Sequence, residues 1–114
     1  MADHANAGLM TRTGLDEHEW NLIREVLSRH GEVSGAILFG SRAKGTAGPA
    51  SDIDLAIEGI DDPLCAESIA GELDELPLPY RFDVKAWSAI KSPALRAHIK
   101  RVGVRIHGPS PPHL

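Results

Sequence analysis

Aromatic side chains are scarce in this 114-residue chain, at 4% of the sequence. Proteins that grip single-stranded nucleic acid commonly stack bases on aromatic platforms, and too few rings exist here to build one. Excess positive charge is missing too: the formal net charge is −4, which argues against a large nucleic-acid footprint. The one cysteine, Cys65, has no partner for an internal disulfide. A reducing, cytoplasmic setting is therefore expected, with the thiol as a small apolar filler. No apolar run is long enough for a membrane span, and no signal peptide is expected at the amino terminus. The six histidines show no metal-ligand spacing.

What remains is an ordinary globular composition, 42% hydrophobic and 25% charged, of a length that suits one domain with a modest core. Residues 1–14 are small and polar and are expected to fray, and the proline-rich residues 108–114 read as a disordered tail. Between them, residues 15–107 alternate helices and strands. Asp16 and Glu19 make a capping box for a helix whose apolar face is Trp20, Ile23, Val26 and Leu27, with Leu15 stapled on Trp20 and Gly31 closing it. Val33 to Phe39 reads as a buried strand ending at Gly40. Arg42 to Gly48 reads as one helical turn and a loop. Ile53 to Ile57 is a second strand. Asp62-Pro63 opens a helix with Leu64, Ile69, Leu73 and Leu76 inward. Tyr80 to Trp87 is a third strand, Ser92-Pro93 opens a last helix carrying Leu95, Ile99 and Val102, and Val104 to His107 closes the chain as a short strand. The expected class is α/β (α+β), a small sheet with helices packed on it. Strand order is not fixed by these signals.

The most telling stretch runs from Gly40-Ser41 to Asp52-Ile53-Asp54. In a strand, side chains two residues apart share a face, so Asp52 and Asp54 stand together while Ile53, Leu55 and Ile57 face the core. Adjacent carboxylates repel unless a cation lies between them, and paired hard oxygens suit Mg²⁺. On the next strand Asp83 also breaks a buried pattern. If the strands are neighbours, the three carboxylates converge, and two Mg²⁺ ions about 3.5–4 Å apart can bridge a triphosphate and an attacking oxygen. Asp83 is then the candidate to accept the proton of an incoming hydroxyl. Gly40 lets backbone approach a phosphate and Ser41 offers hydroxyl and amide donors. Arg42 and Lys44 can place positive charge at a leaving pyrophosphate.

Each feature alone is ordinary. An isolated Asp-x-Asp is most often a solvated strand end, and a Gly-Ser after a strand is a turn. The combination differs, because three carboxylates in one patch destabilise a fold without a ligand. The basic set Arg96, Lys100, Arg101 and Arg105 is expected to be a solvated helix face, with an RNA or an acidic partner surface as the alternative. Trp20 and Trp87 read as core or partner-interface residues.

The run Ile37-Leu38-Phe39-Gly40-Ser41-Arg42-Ala43-Lys44-Gly45, followed by Ser51-Asp52-Ile53-Asp54-Leu55-Ala56, resembles the signature of the DNA polymerase beta-type nucleotidyltransferases. Within them it is similar to the minimal nucleotidyltransferase (MNT) group, and Tyr80-Arg81-Phe82-Asp83-Val84 resembles the group's third-carboxylate strand. The resemblance implies a mixed sheet flanked by helices, with Asp52, Asp54 and Asp83 as catalytic and metal-ligating residues. It implies ATP as substrate, held at Gly40 and Ser41, with Arg42, Lys44 and Ser51 counted in the nucleotide site. Members of the group pair with a HEPN-domain ribonuclease toxin and act as its antitoxin by moving AMP from ATP to a toxin tyrosine. The alternatives are an antitoxin that works by occlusion, or one subunit of an aminoglycoside-type adenylyltransferase. One departure is Lys85 in the segment after Asp83. It is expected to reach solvent, with a pair to Asp83 or a phosphate contact as the other options.

Overall fold

Asp16 starts the first helix, as its spacing to Glu19 predicts. In the structure, a computed structural model that describes residues 13–45, 48 and 51–108, helix α1 spans Glu17–Ser28. The Asp16 carboxylate accepts from the Glu19 backbone N–H at 2.8 Å, and the Glu19 carboxylate accepts from the Asp16 N–H at 3.0 Å. Two otherwise orphaned donors are thus satisfied reciprocally. The helix end differs from expectation: it closes at Arg29 in right-handed geometry, and Gly31 has no positive φ.

Four strands form one sheet: β1 (Gly35–Phe39), β2 (Ile53–Glu58), β3 (Phe82–Ala86) and β4 (Val104–His107), in the order β3-β2-β1-β4. β1 pairs antiparallel with β2 and β4, whereas β2 and β3 run parallel. A parallel pair needs a crossover, and helix α3 (Pro63–Asp74) provides it between them. The short helix α2 (Gly40–Lys44) follows β1 without a loop. A 3-10 turn at Trp87–Ala89 and helix α4 (Pro93–Val102) lead into β4. The expected class, a small mixed sheet flanked by helices, is the one observed. β1 and β3 each begin two residues later than the sequence pattern suggests.

Side chains alternate across each strand. Ala36, Leu38, Ile53, Leu55 and Ile57 face α1 and α3, where they meet Trp20, Ile23, Leu27, Ile69 and Leu73 in the main core. The opposite face is thinner, with Phe39 and Ala56 packed under Ile90 and Ile99. Leu64, expected inward, is 67% exposed. It precedes Ile69 by five residues, which turns it about 140° away from the buried stripe. The fraying expected of residues 1–14 does not reach Thr13, which is buried and accepts hydrogen bonds from Trp20 Nε1 and the Leu15 N–H. Residues 1–12 and the tail 109–114 lie outside the described residues. Among the described residues, no helix is long and apolar enough to cross a membrane.

Candidate active site

β1 ends where the chain must turn sharply into α2, and Gly40 makes that turn at φ 77°. The antiparallel register sets Phe39 opposite Asp54, so the Asp54 carboxylate lies over Gly40. A Cβ at position 40 would run into Asp54 Oδ2. Position 40 therefore requires glycine twice, for backbone angle and for space. Phe39, the cap residue of α2, contributes no side-chain bond to the helix.

The parallel register of β2 and β3 sets Asp54 opposite Asp83, on strands about 4.8 Å apart. The two carboxylates stand side by side on the thinner face of the sheet. Burial, then the negative charges of Asp83 and Asp52, raise the Asp54 pKa above its ordinary value, with Lys85 opposing. Asp52 stands one residue before β2 and is exposed.

Lys85 does not simply reach solvent. Its Nζ donates to both oxygens of Asp83, at 3.0 and 3.1 Å. Residues two apart on a strand share a face, which brings the pair together. Both side chains are nearly half exposed, at 43% and 47%, and such pairs contribute only about 0–1 kcal/mol. The contact is easily released. Convergence of all three carboxylates is also corrected in degree. Among the described residues, no three His, Cys, Asp or Glu side chains are drawn together as a ready-made metal cage. The donor set still fits a divalent cation in kind: hard oxygens, with burial and then their mutual repulsion raising the Asp54 pKa, beside a glycine that leaves the carboxylate room.

Arg42 is where the sequence reading and the structure part most clearly. Expected at a leaving pyrophosphate, it is instead 2% exposed, with Nε and Nη2 donating to the Ser51 carbonyl and Nη1 to the Thr13 carbonyl. Ser51 closes the loop before β2. Its N–H donates to the Gly48 carbonyl, and its hydroxyl accepts from the Gly48 N–H. Ser41 is half-buried at the start of α2, and Lys44 is exposed at its end. That Thr13, Glu19 and Tyr80 gather around Arg42 carries no signal in the sequence, because each is brought there by a different segment. The basic set is likewise not a plain solvated face. Arg96 stacks on Trp87 at 4.6 Å and Arg105 pairs with Glu58 at 2.7 Å.

The chain matches the family described as polymerase beta, nucleotidyltransferase, over residues 21–111. It belongs to that family and is a nucleotidyltransferase. Two solved structures illustrate the likeness. One, the crystal structure of a toxin–antitoxin with AMP-PNP, has a chain 26% identical, with a TM-score of 0.68 over 80% of this chain and 74% of that one. The other contains the tri-AMPylated Shewanella oneidensis HEPN toxin in complex with MNT antitoxin; it is 22% identical, with a TM-score of 0.63 over 82% and 72%. At that identity the second likeness concerns fold. No curated protein matches the chain.

Proposed function

We propose that this chain transfers AMP from ATP to a hydroxyl of a partner protein, as the MNT antitoxin of a HEPN toxin. The observation that carries the reading is the register: Asp54 beside Asp83, with Gly40 kept bare for the Asp54 carboxylate. The likeness to a toxin–antitoxin structure with AMP-PNP supports the nucleotide and the setting. Asp52, Asp54 and Asp83 are the residues that would hold Mg²⁺, which when bound neutralises the triphosphate and supports attack at the α-phosphorus. Gly40 and Ser41 lie at the turn where backbone can approach the phosphates, and Lys44 is the cation left for the leaving pyrophosphate.

Asp83 takes the proton of the attacking hydroxyl, and for that Lys85 has to leave its oxygens. The new bond joins the hydroxyl oxygen to the α-phosphorus; the bond to the β-phosphate breaks and pyrophosphate departs. Most of the acceleration comes from positioning and from charge held ready. An apolar cavity of about 360 Å³ beside β3, lined by Ala66, Val84, Lys85, Ile90 and Leu95, offers room for a partner's side chain. The structures of similar chains with a HEPN toxin and with AMP-PNP support a protein acceptor brought by a partner.

A second reading, neutralisation by occlusion, is favoured by the Lys85–Asp83 pair, which holds the third carboxylate as a structural ion pair would. The test uses ATP labelled at the α-phosphate, Mg²⁺ and lysate of the host cell, the source of any HEPN-domain partner, with the Asp52→Ala/Asp54→Ala variant alongside. Label on the partner, absent with the variant, is the expected result. No label, with the variant still protecting cells, would establish occlusion instead.

A further inference from the structure

A guanidinium buried as deeply as that of Arg42 costs desolvation energy, and such a group persists where its donors are well used. Here they are. Nε and Nη2 both reach the Ser51 carbonyl oxygen, at 3.0 and 2.8 Å, and Nη1 reaches the Thr13 carbonyl oxygen at 2.7 Å. The ring of Tyr80 lies over the guanidinium at 4.7 Å, a cation–π contact. The Tyr80 hydroxyl donates to the Glu19 carboxylate at 3.1 and 3.3 Å, the same carboxylate that caps α1. One side chain therefore ties together the start of α1, the loop before β2 and the segment that leads into β3.

The Ser51 carbonyl belongs to the peptide whose nitrogen is that of Asp52. A peptide unit is planar, so fixing its oxygen fixes the Asp52 N–H and the direction of the Asp52 Cα. On the other side of Asp52, the Ile53 N–H donates to the Arg81 carbonyl at 2.8 Å, where the parallel pairing begins. Asp52 itself is exposed and outside the strand, so its aim depends on these two anchors.

We infer that Arg42 is a positioning residue: it sets the direction of the Asp52 carboxylate and through it the affinity of the site for a divalent cation, an inference that rests on the cation site proposed above. Arg42 does so from beneath the site, without touching nucleotide. Lysine keeps the charge but has a single nitrogen, which cannot place two donors on one carbonyl and a third on another.

Mn²⁺ alone is the probe, titrated into the whole chain without nucleotide and followed by electron paramagnetic resonance. Wild type, Arg42→Lys, Arg42→Met and Tyr80→Leu are compared with Leu73→Ala, a core variant that loses stability far from the site. Folding is checked by circular dichroism. Both Arg42 variants are expected to bind Mn²⁺ about 10-fold more weakly. Tyr80→Leu, which leaves the guanidinium in place but uncovers it, is expected to show a smaller loss, and Leu73→Ala none. Tyr80→Leu keeps the test open if both Arg42 variants unfold, and unchanged Mn²⁺ binding in it would then overturn the inference. Mn²⁺ binding within twofold of wild type in the folded Arg42 variants, or an equal loss in Leu73→Ala, would overturn it too. An effect that emerges only when nucleotide is added would show a phosphate contact instead. A wild-type chain that binds no Mn²⁺ would overturn both the inference and the cation reading of the site on which it rests.

Discussion

The two ends of β2 each carry a carboxylate over a glycine, Gly35 at the start of β1 and Gly40 just past its end, and they are used in opposite ways. At the far end Glu58 lies opposite Gly35, and its carboxylate accepts from Arg105 Nη1 at 2.7 Å. A Cβ on Gly35 would strike both members of that pair. At the near end Asp54 lies over Gly40, and its neighbours are Asp83 and Asp52. One end compensates its negative charge and the other accumulates it. Similar devices, a strand-end carboxylate above a bare glycine, thus separate into a structural tie and a cluster of carboxylates that Lys85 offsets only in part, the one proposed above to take a cation. Uncompensated charge of this kind is commonly held at functional sites at a cost in stability.

The sharpest way to break the comparison is to add a methyl group at each glycine. Gly40→Ala is expected to slow AMP transfer by about 100-fold, because it displaces the Asp54 carboxylate from its working position. Gly35→Ala is expected to leave transfer per folded molecule unchanged and to cost about 1–2 kcal/mol of unfolding free energy for the disturbed ion pair, read as a lower denaturant midpoint. Equal effects on transfer would dissolve the distinction between the ends.

Removing charge at each end should move stability in opposite directions. Without divalent cation, Asp54→Asn is expected to raise the melting temperature by a few degrees, on the scale of about 4–8 °C per kcal/mol for a domain of this size. Glu58→Gln, which strips Arg105 of its partner's charge, is expected to lower it. Differential scanning calorimetry in chelator reads both, and a fall for Asp54→Asn would show that the near end is not held at a cost.

The smallest expected effect lies in the support behind the near end. Burial, then the hydrogen bond to Glu19, raise the Tyr80 phenol above its ordinary 10.0. The folded state then keeps the proton more tightly than the unfolded chain. The stabilisation is whole below pH 10 and is lost as the pH climbs through the raised value. Denaturant midpoints at about pH 9 and pH 11 should fall less steeply in Tyr80→Phe than in wild type.

Much of this was readable in the residues, and the reasons for the gaps are local. Asp16 and Glu19 announced α1 because capping is a short-range exchange of hydrogen bonds. Asp52, Asp54 and Asp83 stood out because they break apolar patterns, and Gly40 because it ends an apolar run. Leu64 was misjudged although its spacing from Ile69 already set it off the buried face. Gly31 was credited with a cap that Arg29 provides. Arg42 could not be placed from sequence, since an arginine on the first turn of a short helix reaches either solvent or core depending on what arrives above it. Here Tyr80 and Thr13 arrive, from 38 residues downstream and 29 upstream. Lys85 was harder still: whether it meets Asp83 or solvent depends on a rotamer choice worth a fraction of a kcal/mol, within the range of about 0–1 kcal/mol for exposed pairs.

The central claim is that the near end of β2 is a cation-dependent nucleotide site. Calorimetric titration of AMP-PNP into the chain, with and without Mg²⁺, tests it most directly when Asp52→Asn/Asp54→Asn is titrated alongside. Binding is expected in wild type only with Mg²⁺, with a loss of at least about tenfold in the folded double variant, because a metal-bridged triphosphate loses its anchor with those carboxylates. Equal binding by wild type and variant, or binding indifferent to Mg²⁺, would contradict it.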